Sequence, residues 1–288
     1  MPVARALAAA RPSGHQRPPR LRAVRTTATT GSSLSAFCPL LKAFAGGDPS
    51  ARNRPTEVAL SGFASIARLP RGTTSAVAAA RDEGAFVQPA LTLYEFEACP
   101  FCRSVREALT ELDLDAAVVP CAKGSRHRAT VAELGGKEQF PYLVDETAGV
   151  ALFESEAIIA HLWQTYGGGV AGPPPRRVPL SALATVFRMG RGMVRFEGAD
   201  EAKADAARIE LYNYEGNQFA RLVRECLCEL DLPFTLRNVP KGSPRRAALT
   251  AIDPDASVPY LVDGDQKVGD SKRIVEYLCK TYASSPSS

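Results

Sequence analysis

Cys99 and Cys102, within the stretch "EACPFCRSVRE" (97–107), are the side chains whose spacing most directly suggests chemistry. Two cysteines three positions apart can be a redox pair, half of a metal site, or two inert buried thiols. At the start of a helix, unpaired N–H groups and the positive end of the helix dipole favour the thiolate, which is the nucleophilic form. A second thiol one turn later can then close a disulfide and release a bound thiol.

The alternatives to redox chemistry have little support elsewhere in the chain. A structural zinc ion needs about four ligands, but there is no second CxxC motif, and the three histidines are scattered. Seven cysteines, an odd number, do not make a disulfide scaffold in a chain of 288 residues. Pro100 suits the first turn of a helix, and Arg103 and Arg106 either add positive charge near the thiols or are solvated. We therefore predict redox chemistry and no metal site.

The elements around the two cysteines form a mixed αβ unit. "LTLYEF" alternates like a strand, and apolar residues recur at helical spacing over about 101–113. A strand "DAAVVPC" follows, then a polar helix at about 125–134, then strands "FPYLVD" and "VALF". "SEAIIAHLWQTYG" is a closing helix with Ser155 as its N-cap and Gly167 just past its end. The predicted order is βαβαββα.

This unit occurs twice. A shift of 118 residues aligns 94–145 with 212–263 without a gap, and about 22 of 52 positions are identical. We therefore predict domains at 89–168 and 208–283, joined by a linker at 169–207 that opens with "GGGVAGPPPRR". In the second copy, Asn217, Gln218 and Ala220 stand where the first has Cys99, Pro100 and Cys102. The nucleophile is lost there, which places the chemistry in the first copy.

The basic excess of the chain is confined to its N-terminal part. Residues 1–90 hold 12 Lys/Arg and 4 Asp/Glu, a formal charge of +8, whereas the remainder carries −4. The body is therefore slightly acidic and does not suggest a nucleic-acid surface, and no apolar run is long enough for a transmembrane segment. Residues 1–47 contain no acid and are rich in Arg, Ser, Thr and Ala, which is typical of a transit peptide. We expect 1–88 to be a transit peptide and disordered lead-in, with chloroplast favoured over mitochondrion.

The series of strand, CPFC, helix, a strand opening at "FP" and "FES" at a helix start resembles the thioredoxin superfamily. CPFC is typical of glutaredoxins, whereas "FESEAII" resembles the glutathione-binding N-terminal domain of glutathione transferases. The similarity covers both copies, about 150 residues. The tandem arrangement behind a transit peptide resembles a group of plant and algal plastid proteins. The resemblance implies an α/β fold of two tandem thioredoxin-like domains behind a disordered N-terminal segment.

The same resemblance implies roles for six residues of the first copy. Cys99 would attack a glutathione mixed disulfide, and Cys102 would resolve the product or stand by. Pro141 would be the cis proline of the fold, or simply the start of a strand, and the backbone of Phe140 would pair with the cysteinyl part of glutathione. Glu154 and Ser155 would hold the γ-glutamyl end, because a helix N-terminus is a ready carboxylate site, or would only cap the helix.

The expected function is a glutathione-dependent thiol–disulfide oxidoreductase with glutathione as co-substrate and protein or small-molecule disulfides as partners. The short segments after each copy are expected to be too small for the helical second domain of a full glutathione transferase. A transferase or isomerase is the second enzymatic interpretation, and a non-enzymatic glutathione- or partner-binding module is the third. The second copy could bind glutathione weakly, bind something else, or support the first. We interpret Cys226 and Cys228 as packing residues and assign no role to Cys121 or Cys279.

Overall fold

The computed structural model describes residues 22–23, 48–82, 86–170, 172–173 and 184–284. The predicted transit peptide lies outside these residues, except for a two-residue strand, β1 (Arg22–Ala23), and it stays a prediction. None of the helices in the described part of the chain has the length and apolar character needed to cross a membrane.

Each repeat folds in the predicted order βαβαββα, so the predicted fold class is confirmed. The first copy contains β2 (Leu91–Glu95), α2 (Pro100–Glu111), β3 (Ala116–Pro120), α3 (His127–Gly135), β4 (Tyr142–Asp145), β5 (Val150–Phe153) and α4 (Ser155–Tyr166). The second contains β6 (Ile209–Asn213), α6 (Gln218–Glu229), β7 (Phe234–Asn238), α7 (Arg246–Ile252), β8 (Tyr260–Asp263), β9 (Gln266–Gly269) and α8 (Ser271–Tyr282). A further short helix, α5 (Glu201–Ala206), precedes the second copy.

The strands of both copies belong to one nine-stranded sheet in the order β1-β5-β4-β2-β3-β7-β6-β8-β9. Within each copy the first two strands are parallel and the last two antiparallel. The copies meet where β3 pairs antiparallel with β7, with Ala117 opposite Thr235. Each of these strands would otherwise be an exposed edge, and an edge presents unpaired backbone groups. Their pairing makes the two domains one continuous layer.

The apolar core also crosses the boundary between the copies. One cluster of buried residues combines Leu93, Leu109 and Ile158 of the first copy with Leu211 and Leu261 of the second. Smaller clusters include Val131 of α3 and Leu249 of α7. The helices α2, α4, α6 and α8 therefore cover a shared core, since a sheet face is stable only when another layer buries it.

Residues 48–82, which we expected to be a poorly ordered lead-in, are instead folded onto the repeats. They contain a 3-10 helix (Pro49–Asn53) and helix α1 (Pro55–Ile66), each with a proline in its first turn. Two arginines of this stretch, Arg52 and Arg68, are buried ion-pair partners. Arg52 binds Glu229 of α6, with Nη2–Oε2 at 2.6 Å, and Arg68 binds Glu107 of α2, with Nε–Oε1 at 2.7 Å.

Part of the predicted linker is likewise an ordered element of the fold. We call residues 48–77 the first arm and residues 184–199 the second arm. Arg188 of the second arm binds Glu225 of α6, with Nη2–Oε2 at 2.6 Å. Gly192 N donates to Glu229 Oε1 at 2.9 Å, as Gly72 N donates to Glu111 Oε1 at 3.1 Å in the first arm. Gly72 has φ 62° and Gly192 has φ 78°, positive values that glycine tolerates best.

Each arm crosses to the other copy. Lys241 of the second copy donates its N–H to Thr73 O at 3.0 Å, and Ser75 N donates to Lys241 O at 3.2 Å. In the mirror arrangement, Lys123 N donates to Met193 O at 2.7 Å, and Arg195 N donates to Lys123 O at 2.9 Å. Each arm therefore contacts both domains and connects one to the other.

Candidate functional site

Cys99 is the N-cap of α2, at the end of the loop that follows β2. Its backbone is extended (φ −70°, ψ 120°), and Pro100 begins the helix, where a missing N–H costs no hydrogen bond. The Cys99 Sγ accepts a hydrogen bond from Cys102 N at 3.3 Å. The sulfur thus occupies the capping position that an oxygen usually fills, and it satisfies an N–H that has no partner within the helix.

The two thiols of the motif have opposite pKa shifts. Burial acts to raise the pKa of Cys99, but hydrogen bonds from the Cys102 thiol and from the N–H groups of Cys102 and Phe101 outweigh it, so that the pKa is lowered. Burial and the hydrogen bond that it donates to Cys99 raise the pKa of Cys102 well above its ordinary value. Cys99 is therefore the thiol that loses its proton more readily, and Cys102 is the one that keeps it, an arrangement suited to nucleophilic attack by Cys99.

Glu95, the last residue of β2, adds a negative charge behind the motif. Burial raises its pKa to about 7, although Arg106 beside it acts in the opposite direction. The charge of Glu95 also acts to raise the pKa of both Cys99 and Cys102. Protonation of Glu95 would therefore favour the Cys99 thiolate.

Access to Cys99 is narrow. Only 5% of its surface is exposed, and Cys102 is fully buried. Phe96, Pro100 and Phe101 beside them are partly exposed. A reagent must therefore approach over this apolar surface to reach the sulfur.

The sheet brings the other predicted site residues to the same edge as Cys99. Tyr94 near the end of β2 pairs with Tyr142 at the start of β4, which in turn pairs with Phe153 at the end of β5. The peptide bond Phe140–Pro141, directly before β4, is cis, as predicted for Pro141. The Phe140 ring meets the Phe96 ring edge-on, with centroids 6.1 Å apart.

Glu154 and Ser155 follow β5 at this edge. Glu154 has φ 67° and is the N-cap of α4, whereas Ser155 is its first residue, so the predicted N-cap was wrong by one position. The Glu154 side chain makes no capping bond and instead accepts from Gln139 Nε2 at 2.6 Å. This hydrogen bond connects the two segments that were predicted to hold glutathione, since Gln139 is next to Phe140 and Glu154 is next to Ser155. The glutathione-binding role of these residues stays a prediction.

The second arm forms part of the site, which the sequence interpretation missed. Thr185 Oγ1 donates to the carbonyl of Ala98, next to Cys99, at 2.7 Å, and accepts from Arg103 Nη1 at 3.3 Å. Met193 packs against Ala98. A sequence signal did exist, because "RLPRG" (68–72) and "RMGRG" (188–192) extend the internal repeat into both arms.

The arginines after the motif are buried, not solvated. Arg103 and Arg106 are each 1% exposed. Arg106 Nε lies 2.9 Å from Glu215 Oε2 of the second copy, and Arg224 Nε of that copy lies 3.1 Å from Glu97 Oε2 of the first. Because buried charges are tolerated only with partners, these reciprocal pairs fix the face of α2 against α6.

The second copy keeps the cap but not the chemistry. Asn217 Oδ1 accepts from Phe219 N at 2.9 Å and from Ala220 N at 3.0 Å, as an N-cap does. Its Nδ2 donates to the carbonyl of Val258, which precedes the cis proline of that copy, at 3.3 Å. The group equivalent to the Phe140 carbonyl is therefore already engaged by the protein itself. Within the described residues, no group of three or more His, Cys, Asp or Glu side chains is arranged to hold a metal ion.

Comparison with known proteins identifies the class to which this fold and site belong. The family model described as "Glutathione S-transferase, N-terminal domain" matches the chain twice, at residues 93–174 and 211–286. The two matches coincide with the two copies, and together they cover more than half of the chain. The chain belongs to the glutathione S-transferase N-terminal domain family.

Individual relatives match one domain's length of sequence. Glutathione S-transferase Z2 of Arabidopsis thaliana is 35% identical over 82 residues, 28% of this chain and 37% of the relative. Glutathione S-transferase Z1 of the same plant is 33% identical over 87 residues, 30% of this chain and 39% of the relative. The chain thus spans less than half the length of these curated relatives. A solved structure, "Leishmania TDR1 - a unique trimeric glutathione transferase", shares 16% identity over 68% of each chain, with a TM-score of 0.27.

Proposed function

We propose that this protein is a glutathione-dependent thiol–disulfide oxidoreductase in which Cys99 is the nucleophile. The observation that carries the proposal is the capping geometry of Cys99, whose sulfur accepts N–H hydrogen bonds while Cys102 keeps its proton. Family membership supports glutathione as the co-substrate. Phe140, Pro141, Glu154 and Ser155, at the same edge of the sheet, are the proposed glutathione contacts, and protein or small-molecule disulfides are the proposed partners.

The reaction has two thiol-exchange steps. The Cys99 thiolate attacks the glutathionyl sulfur of a mixed disulfide, and the other sulfur leaves as a thiolate that takes a proton from solvent. In one route, a second glutathione thiolate attacks the glutathionyl sulfur, and glutathione disulfide is released. In the other route, Cys102 loses its proton, and its sulfur attacks the Cys99 sulfur and displaces a glutathione thiolate. The first route restores the Cys99 thiolate, and the second leaves a Cys99–Cys102 disulfide.

The test is glutathione-dependent reduction of a mixed disulfide by wild type, Cys99→Ser and Cys102→Ser. We expect Cys99→Ser to fall to the rate without enzyme, because the other thiols near this sheet edge, Cys102 and Cys121, are fully buried and burial raises the pKa of each. Cys102→Ser retains activity if the second glutathione completes the cycle. Cys228→Ala, which removes a buried thiol of α6 outside the motif, is the matched control and should keep full activity. Undiminished activity in Cys99→Ser would refute the proposal.

Conjugation or isomerisation by a transferase-like route is the second candidate, favoured by the names of the two plant relatives. In that case Cys99 or its helix N-terminus would activate the glutathione thiol for attack on an electrophile. Turnover of a model electrophile by a preparation that is inactive on mixed disulfides would favour this route. The reverse pattern would favour the oxidoreductase.

The transit-peptide interpretation of the N-terminal segment is a separate part of the proposal. The Arg-rich and acid-free composition of residues 1–47 supports import into a plastid. A fluorescent protein fused behind this segment should accumulate in chloroplasts of plant cells. Accumulation in mitochondria would indicate the alternative address.

A further inference from the structure

The second copy lacks the CxxC motif but contains a different pair of neighbouring thiols. Cys226 lies on α6 and Cys279 on α8, two helices packed on the same face of the sheet. Their sulfur atoms are 3.8 Å apart, which is direct contact, although 53 residues separate them in the sequence. Our interpretation of Cys226 as a mere packing residue did not anticipate this contact.

Packing alone does not account for the pair. The internal alignment places Ala108 opposite Cys226 and Trp163 opposite Cys279. Both residues of the first copy belong to the same buried cluster as Cys226. One large and one small side chain thus fill this place in the first copy, so the fold does not require thiols there.

The two thiols also differ in accessibility in the way that a stepwise oxidation needs. Cys226 is fully buried, whereas Cys279 is partly exposed. Burial raises the pKa of Cys226 well above its ordinary value. Cys279 is therefore the sulfur that meets a reagent first, and Cys226 is the one that follows.

We propose that Cys226 and Cys279 are a second redox site, which forms a disulfide between α6 and α8 with a low-molecular-weight disulfide such as glutathione disulfide as oxidant. A disulfide needs a sulfur separation of about 2.0 Å, so the side chains must rotate toward each other. The two sulfur atoms are already in contact, on two helices that pack against each other, so the required movement is small. The inference does not rest on Cys99 chemistry.

The proposed oxidation is balanced by the reduction of glutathione disulfide. The Cys279 thiolate attacks one sulfur of glutathione disulfide, and a glutathione thiolate leaves. Cys226 then loses its proton, and its sulfur attacks the Cys279 sulfur, displacing the second glutathione thiolate. Two protein thiols become one disulfide, and one glutathione disulfide becomes two reduced glutathione molecules after proton uptake.

Cys228 is the natural control because it lies on the same helix and points elsewhere. Its thiol donates to the carbonyl of Gly192 in the second arm at 3.2 Å, and it is 4% exposed. Trypsin would release Cys226 and Cys228 together in the peptide 225–237, and Cys279 in the peptide 274–280. A variant lacking Cys228 is therefore needed to assign a cross-link between these peptides.

The experiment uses the full chain carrying Cys99→Ser and Cys102→Ser, so that the first redox site is silent. This protein, and versions with Cys228→Ala, Cys226→Ala or Cys279→Ala added, are incubated with glutathione disulfide, alkylated, digested with trypsin and analysed by mass spectrometry. We expect the peptides 225–237 and 274–280 to be linked, with the loss of two hydrogen masses, in the parent and in Cys228→Ala. Fragmentation of the Cys228→Ala product should place the bond on Cys226 directly.

Thermal unfolding provides an independent readout. A bond across 53 residues restricts the unfolded chain, so the oxidised Cys228→Ala protein should melt at a higher temperature than its reduced form. The Cys279→Ala protein should show no such shift. A stable glutathionyl adduct on Cys279 without the cross-link in Cys228→Ala would overturn the inference, as would a cross-link that persists in Cys226→Ala.

Discussion

Cys99 and Cys102 are one helical turn apart, yet their environments have opposite effects on their pKa values. Both are buried, which by itself raises the pKa of a thiol. Cys99 receives the N–H groups of the helix start, which lower its pKa, whereas burial and the hydrogen bond that it donates to Cys99 have the largest effects on Cys102 and raise its pKa. The asymmetry therefore comes from the capping position, and it supports Cys99 as the proposed nucleophile.

The Cys102 thiol contributes a measurable part of this asymmetry. Cys102→Ala removes the S–H donor to Cys99 and leaves only backbone N–H groups, so the pKa of Cys99 should rise. Cys102→Ser keeps a hydroxyl donor and should raise it less. The measurement is the rate of iodoacetamide alkylation at Cys99 as a function of pH, with the midpoint in wild type below the value of about 8.5 for free cysteine.

Two results would contradict this explanation of the Cys99 pKa. A wild-type midpoint at the value of free cysteine would mean that burial outweighs the hydrogen bonds. Equal midpoints for wild type and Cys102→Ala would mean that the neighbouring thiol has no effect.

Single residues also show how far the sequence predicts this site. CPFC, Pro141 and the pair Glu154–Ser155 were predicted because the motifs around them resemble those of glutaredoxins and of the N-terminal domain of glutathione transferases. Thr185 was not predicted, because its bond to Ala98 joins residues 87 positions apart, and no local pattern encodes such a contact.

At the scale of elements, α2 and α6 are helices whose charged faces are buried. Arg106, Glu107 and Glu111 on α2 are all buried, although charged residues are mostly exposed in proteins. Arg68 and Arg71 of the first arm bind Glu107 and Glu111, and Glu215, in the loop before α6, binds Arg106. The βαβαββα order was predictable from periodicity, whereas the burial of these charges was not.

The attachment of the first arm can be tested at Arg68. Arg68→Met should destabilise the protein by about 3–5 kcal/mol, because it leaves the buried carboxylate of Glu107 without its bidentate partner. Urea unfolding gives the change in the free energy of unfolding. Arg54→Met, at an exposed residue of the same arm, should change it by less than about 0.5 kcal/mol.

A double variant separates charge burial from packing. Arg68→Met combined with Glu107→Leu removes both charges and should recover much of the lost stability. If Glu107→Leu instead lowers the stability of Arg68→Met further, the unpaired charge of Glu107 is not the source of the effect.

At the scale of the whole molecule, the continuous sheet and shared core make the two copies one folding unit. Leu261→Ala removes a fully buried side chain of β8 and should cost about 2–5 kcal/mol. Trp163, the single tryptophan of the chain, lies in the first copy. The urea midpoint of unfolding should fall by the same amount whether it is followed by Trp163 fluorescence or by far-UV circular dichroism, because the copies unfold together.

The control and the contrary result for this variant are both well defined. Gln266→Ala, at an exposed position of β9 in the same copy, should leave both midpoints nearly unchanged. If Leu261→Ala splits the transition and leaves the Trp163 midpoint at its wild-type value, the copies are independent domains. The internal repeat predicts two domains but not the continuous sheet that joins them. The pairing of β3 with β7 is a contact between distant parts of the chain, and no local sequence pattern encodes it.

The crossed arms have the reciprocity of an interface between identical subunits around a two-fold axis, in which each contact occurs twice with roles exchanged. Here both halves are on one chain, so the assembly cannot dissociate on dilution. A substitution in a dimer of identical subunits changes both subunits, whereas a substitution in one half of a fused chain leaves the other half unchanged. One half has Cys99 at the start of its first helix, whereas the other has Asn217 at the equivalent position. A fused pseudo-dimer can therefore carry two different residues at equivalent helix starts, which a dimer of identical subunits cannot do.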